Sequence, residues 1–360
     1  MATHSSDLRD MAYEARLARS MIVSTSLALL SDRRLCLLVA SAQRIGSGIG
    51  GTSVLLDIEG TPVFAKSIPL TDRERLPENS LSTANLFHLP PFYQYGVGST
   101  GFGAWRELAT HVMTTNEVLG RQCECFPLLY HWRVMPGPSP TQAPMSDEQA
   151  EIERMVAYWD GSPAVRERLE AIARASAQVV LFLEYIPQNL QQWLTAQVAL
   201  GGEAIERAIA SVERGLQTGI AVMKAMGLLH FDTHFHNILT DGRHLYFADF
   251  GLATSPRFEL SEVEVAFLGL HMRHDECYTL TQLVNWLVMV YTDARSASVR
   301  NEYIRRYAEG ADPINIPPSI AATIKRYAPI AAIMNDVYWK LHGESRTVPF
   351  PADEIQRVHP

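Results

Sequence analysis

The chain has 360 residues, 47% of them hydrophobic and 19% charged, which is enough apolar material to bury a sizeable core and excludes disorder as the overall state. Its 31 Lys and Arg against 39 Asp and Glu leave a formal charge of -8, so no global basic field holds a polyanion and nucleic acid is not an expected partner. The longest apolar stretches near the start, residues 21–30 and 35–42, are split by Ser31-Asp32-Arg33-Arg34 and fall short of the roughly 20 residues of a spanning helix, so no membrane segment is expected.

Residues 1–10 are polar and carry no basic stretch leading into an apolar core, which predicts no signal peptide and a cytoplasmic address. Four cysteines are too few for a disulfide framework. Cys123 and Cys125 read as a strand with both thiols on one face rather than as a metal site, since structural zinc needs about four ligands. In chain order, residues 1–40 predict a helical extension, with Leu8, Met11, Ala15, Ala18, Ile22 and Leu29 at helical spacing. From Arg44 the texture turns to Gly-rich turns and β-favouring runs, residues 53–58 and 61–68, joined at Glu59-Gly60. A Pro/Gly/Ser-rich loop over residues 136–146 precedes a helix-biased insertion over 147–177, then an apolar strand over 179–185 that ends before Pro187. Helices dominate afterwards. Ile205, Ile209, Val212, Leu216, Ile220 and Met223 form one stripe stopped by Gly227, and Leu280, Leu283, Val284, Leu287 and Val288 form another that runs buried to Tyr291. The fold class is α+β, divided into an extension (1–40), a sheet-rich part (41–186) and a helix-rich part (187–360).

Three segments carry chemistry. Gly46-Ser47-Gly48-Ile49-Gly50-Gly51 is a Gly-x-Gly-x-x-Gly, whose backbone N–H groups suit phosphate. Alone it is more often a plain turn, and the strand-like sequence after it excludes the nicotinamide form, which needs a helix there. Val63-Phe64-Ala65-Lys66 then places an ammonium on a strand returning from that loop; its bland alternative is a strand-end lysine with its head in water. The third is His230-Phe231-Asp232-Thr233-His234-Phe235-His236-Asn237, followed by Asp249-Phe250-Gly251. A carboxylate to orient a hydroxyl, with an amide and a second carboxylate to hold Mg²⁺, is what phosphoryl transfer requires. A strand pair over 238–239 and 245–248, turning at 240–243, brings Asn237 and Asp249 together. A transition-metal cluster of His230, His234 and His236 is the competing reading, but it leaves the spaced Asp and Asn unexplained.

Taken in order, the Gly-rich loop, Val-Phe-Ala-Lys, His-x-Asp-x-x-x-x-Asn and Asp-Phe-Gly resemble the protein-kinase-like superfamily over residues 40–295. The resemblance implies a two-lobed fold, with a small β-rich N-lobe and a larger α-helical C-lobe. It implies an enzyme using ATP and Mg²⁺ to phosphorylate a hydroxyl-bearing substrate. Gly46, Gly48 and Gly51 would cover the phosphates, Lys66 would hold them, and Glu107 would pair with Lys66 across a long gap containing an insertion over 77–103, with Glu117 as runner-up. Leu183 would gate the adenine pocket, while backbone groups of Glu184 and Ile186 read the purine edge. Asn237 and Asp249 would bind the metal, Asp232 would orient the acceptor, and Asp275 would brace the catalytic loop, an exposed helix cap being its alternative. His234 stands where peptide kinases usually carry Lys, as in phosphotransferases related to aminoglycoside kinases, and an ordinary His pKa of about 6.5 would make the rate pH-sensitive near neutrality. Only residues 250–274 separate Asp249 from Asp275, and no Ala-Pro-Glu lies there. The first-part motifs lean towards a protein Ser or Thr as acceptor, whereas His234 and the short segment lean towards a small molecule. An ATP-binding pseudokinase acting through protein contacts is the reading from another class.

Overall fold

The computed structural model describes residues 2–48, 51–137 and 145–358. It is an α+β protein with a five-stranded antiparallel sheet, a three-stranded sheet of short strands, and many helices. The chain divides into two compact units, residues 1–89 with 100–186 and residues 90–99 with 187–360. Residues 90–99, inside the expected sheet-rich part, therefore belong to the helix-rich unit. Among the described residues no helix is long and apolar enough to cross a membrane.

The first unit runs α1 (Ala2–Ala28), α2 (Asp32–Ser41), β1 (Gln43–Gly48), β2 (Gly51–Ile58), β3 (Thr61–Leu70), α3 (Ala104–Leu119), β4 (Leu129–Pro136), α4 (Met145–Tyr158), α5 (Pro163–Ala173) and β5 (Ala177–Glu184). The strands are ordered β1-β2-β3-β5-β4. Period-two alternation puts Phe64, Lys66, Ile68 and Leu70 on one face of β3. That face packs with Val179, Leu181 and Leu183 of β5 against Ala104, Trp105 and Leu108 of α3. Burial of these side chains, worth about 1.5–3 kcal/mol each, fixes the helix on the sheet. The start of α3 is held by Glu74, whose Oε1 accepts from the Ala104 N–H at 2.8 Å and whose Oε2 accepts from Arg168 at 2.9 Å. Burial alone would raise the Glu74 pKa, but Arg168 and the Thr71 hydrogen bonds hold it below the ordinary value. The expected strand carrying Cys123 and Cys125 is not there: residues 121–128 are irregular, because they are the short connection that leaves α3 through left-handed Arg121 at φ 58° and reaches β4 at Leu129.

The second unit runs β6 (Gln188–Asn189), α6 (Leu190–Leu200), α7 (Gly202–Met226), β7 (Ile238–Thr240), β8 (Leu245–Phe247), α8 (Glu262–Leu270), α9 (His274–Tyr291), α10 (Ala297–Ala308), α11 (Pro318–Gly343) and α12 (Ala352–Val358). The expected stripe of α7 is buried except at half-buried Ile220, and Gly227, left-handed at φ 67°, closes the helix. The β7–β8 turn is made by Asp241, whose Oδ1 accepts from the N–H groups of Arg243 and His244. Helix α9 begins at His274, before the apolar stripe, because His274 and Asp275 are buried with internal partners rather than exposed as a cap.

Candidate functional site

Within the first unit the glycine-rich segment is a β-hairpin. Gly48 pairs with Gly51 across β1 and β2, and the turn between them, Ile49-Gly50, lies outside the described residues. Gly51 has φ 122°, and a Cβ there would lie 1.9 Å from the Ser67 carbonyl oxygen, so the sheet itself requires glycine at this position. Around Gly46 a side chain would meet nothing closer than 3.9 Å; the glycine sits where the β1 register shifts.

Lys66 is not a strand-end lysine with its head in water. It is 7% exposed, in register with Ser53 of β2 and Leu181 of β5, and its Nζ donates to Glu107 Oε1 at 2.6 Å. Glu107, on the first turn of α3, is 3% exposed. A buried ammonium persists on an apolar face only beside such a carboxylate. Leu183 is buried at the end of β5 with Phe64 packed nearby. The Glu184 N–H already donates to the Leu128 carbonyl at 2.8 Å, so of its backbone groups only the carbonyl can face a purine. Its side chain is also engaged: Arg16 of α1 donates to it through Nε at 2.9 Å and Nη2 at 2.6 Å. The N-terminal helix is thereby pinned to the strand that leads to half-buried Ile186.

Within the second unit a loop between α7 and β7 gathers the remaining residues. Asn237 Nδ2 donates to Asp232 Oδ2 at 2.9 Å and to the Asp232 carbonyl at 3.1 Å. Asn237 and Ala248 share a backbone bond at 2.9 Å, and the His230 ring bonds the Ala248 carbonyl at 2.9 Å, which brings Asp249 to the loop. Phe231 and Asp249 both sit at φ 62°, a left-handed conformation that non-glycine residues take only when surrounding contacts impose it. Those contacts are visible. Asp275 accepts from the N–H of His230 at 2.5 Å and of Phe231 at 2.8 Å, and the Phe231 ring stacks on His274 at 4.6 Å.

The Asp232 carboxyl is pushed up to about 6, first by burial and then by the Asp249 carboxylate, against the opposing effects of His230 and Asn237. His234 Nε2 lies 3.6 Å from Asp232 Oδ2. Burial, then the neighbouring His236, holds the His234 pKa below its ordinary value, so its ring is neutral near pH 7, and its Nδ1 is buried without a hydrogen-bond partner. Among the described residues no three His, Cys, Asp or Glu side chains form a metal-holding group, so the three histidines do not make a cluster. Asn237 does fit a metal: with Nδ2 engaged by Asp232, its Oδ1 has no partner among the described residues and is an oxygen ligand of the type Mg²⁺ takes.

Neither a family model nor a curated protein matches this chain. The geometry of the site includes residues the sequence does not single out. Gly96 lies directly against Asp232: a Cβ on it would be 2.4 Å from Oδ1. Its neighbour Tyr95 anchors the segment, bonding His271 at 2.5 Å and meeting Phe231 edge-on at 6.3 Å, while Gln94 bonds the Leu252 carbonyl. The sequence offers Tyr-Gly-Val-Gly only as a turn signal, because its partners are more than 130 residues away. Glu74 and Arg16 are likewise defined by distant partners.

Proposed function

We propose that the chain is an ATP- and Mg²⁺-dependent phosphotransferase of the two-lobed protein-kinase-like fold, moving the γ-phosphoryl group to an acceptor hydroxyl. The observation that carries this reading is the loop in which Asp232 and Asn237 are hydrogen-bonded at 2.9 Å while strained backbone delivers Asp249 beside them. Lys66, kept charged by Glu107, receives the α- and β-phosphates under the β1–β2 hairpin, and Leu183 with the Glu184 carbonyl and Ile186 accommodates the adenine. Asn237 and Asp249 would hold Mg²⁺, which supplies neutralisation of phosphate charge. Asp232 accepts and orients the acceptor hydroxyl, and a neutral His234 donates to the γ-phosphate. The approach of Gly96 to Asp232 narrows the room for an acceptor, which favours a small hydroxylated molecule over the protein Ser or Thr to which the motifs lean.

Incubation with γ-labelled ATP and Mg²⁺, alone and with a protein pool or a hydroxylated-metabolite pool, tests the proposal. Label is expected on a small molecule. Nucleotide binding with no consumption of the γ-phosphate would leave the pseudokinase reading in its place.

Three variants test the parts. Lys66→Met removes the ammonium from beside the buried Glu107 carboxylate and is expected to cost about 3 kcal/mol of stability. Adding Glu107→Leu should recover that stability in urea unfolding without recovering ATP turnover, which separates the fold from phosphate binding. Gly96→Ala meets only the movable end of Asp232, so the melting temperature should hardly change. Displacing that carboxylate should nevertheless lower turnover by about 10²-fold, with ATP affinity retained.

A further inference from the structure

Helices α9, α10 and α11 converge on a second feature, away from the Asp232 loop in sequence and independent of the phosphotransferase reading. Elsewhere they meet through apolar residues such as Leu283, Leu287, Ile304, Ile324 and Met334, all buried. At one junction the facing positions turn polar and the helices line a half-open cavity of about 600 Å³, within the size of small-molecule sites. Part of its polar lining is already satisfied. Asn285 and Asn335 exchange amide hydrogen bonds at 3.0 and 2.9 Å, and the Tyr338 hydroxyl bonds the His274 ring at 2.9 Å.

Two adjacent residues of α10 are not. Asn301 is 8% exposed, yet among the described residues its Oδ1 has no hydrogen-bond partner, and neither does the buried Nε of Arg300. The Arg300 guanidinium has no carboxylate beside it: no Asp or Glu lines the cavity, and burial lowers its pKa with no opposing anion. A buried guanidinium Nε and a buried amide oxygen without partners are both costly, and apolar residues would be the cheaper way to pack three helices. Tyr278, Tyr338 and Trp339 supply flat apolar walls.

We propose that this cavity binds a small hydroxylated aryl carboxylate, with its carboxylate on Arg300, its hydroxyl donating to Asn301 Oδ1 and its ring against the aromatic wall. A carboxylate matches the planar guanidinium, and the hydroxyl is the donor that Asn301 lacks.

The test is isothermal titration of the full chain with 4-hydroxybenzoate and with its neutral isostere 4-hydroxybenzamide. Saturable one-to-one binding of the acid is expected, weakened at least about tenfold for the amide and in Arg300→Met and Asn301→Leu. Because these groups have no partners to lose, both variants should melt no lower than the parent. Absence of saturable heat at millimolar acid, as for a cavity holding only water, would overturn the proposal. So would equal binding of acid and amide, unchanged binding in the variants, or a lowered melting temperature for Asn301→Leu, which would mean the amide serves the fold alone.

Discussion

Asp232→Asn is expected to abolish most phosphoryl transfer, by about 10²–10⁴-fold, while leaving nucleotide binding and melting temperature close to those of the parent. The fold tolerates the change because the new amide can turn its oxygen towards Asn237 Nδ2, which now donates to Asp232 Oδ2 at 2.9 Å. Burial already disfavours the charged form of this carboxyl, so a neutral side chain relieves desolvation rather than adding to it. What the amide cannot do is accept the acceptor hydroxyl's proton. Measuring γ-phosphate transfer beside binding of a non-hydrolysable ATP analogue checks both halves, and an active Asn variant would remove Asp232 from the chemistry.

Asp275→Ala should have the largest effect on stability, a loss of about 2–5 kcal/mol in chemical denaturation. Asp275 is 4% exposed and holds the N–H groups of His230 and Phe231; without it two buried donors go unsatisfied. The strain at Phe231, φ 62°, would also lose what maintains it, so the loop should relax and transfer fail together with stability. Asp275→Asn keeps one acceptor and should cost roughly half as much. The pH dependence has a definite sign. Burial would raise the Asp275 pKa, but the His274 hydrogen bond and charge, with His230, bring the folded value below 3.8. A carboxyl lowered on folding contributes stability that is complete above its unfolded pKa and is lost as pH falls through the folded value. Acid unfolding below about pH 4 should therefore be less steep in Asp275→Asn than in the parent.

Local patterns were legible where neighbours in sequence are neighbours in space. The β2–β3 hairpin turns at Glu59-Gly60, α7 stops at Gly227, and β7 and β8 flank the Asp241 turn, because turn chemistry and side-chain period act over a few residues. The bond between Asp232 and Asn237 is of the same kind, since both lie in one loop. The pairing of Lys66 with Glu107 spans 41 residues; its residue types are visible in the sequence, but only the packing of α3 on the sheet selects Glu107 over Glu117. The irregular run at Cys123 and Cys125 shows the reverse case, in which a local pattern favouring a strand yields to the short connection from α3 to β4.

The amino-acid sequence by itself determined the α+β class, the limits of β2, β3, β7 and β8 to within two residues, the ends of α7 and α9, and the set of charged and amide side chains available for chemistry. Tertiary structure alone decided that residues 90–99 leave their sequence neighbours to set Gly96 against Asp232, that Arg16 clamps Glu184, and that three helices leave Arg300 and Asn301 facing a cavity. Propensity and periodicity are short-ranged, whereas burial and partner choice depend on which distant surfaces the chain excludes from water together.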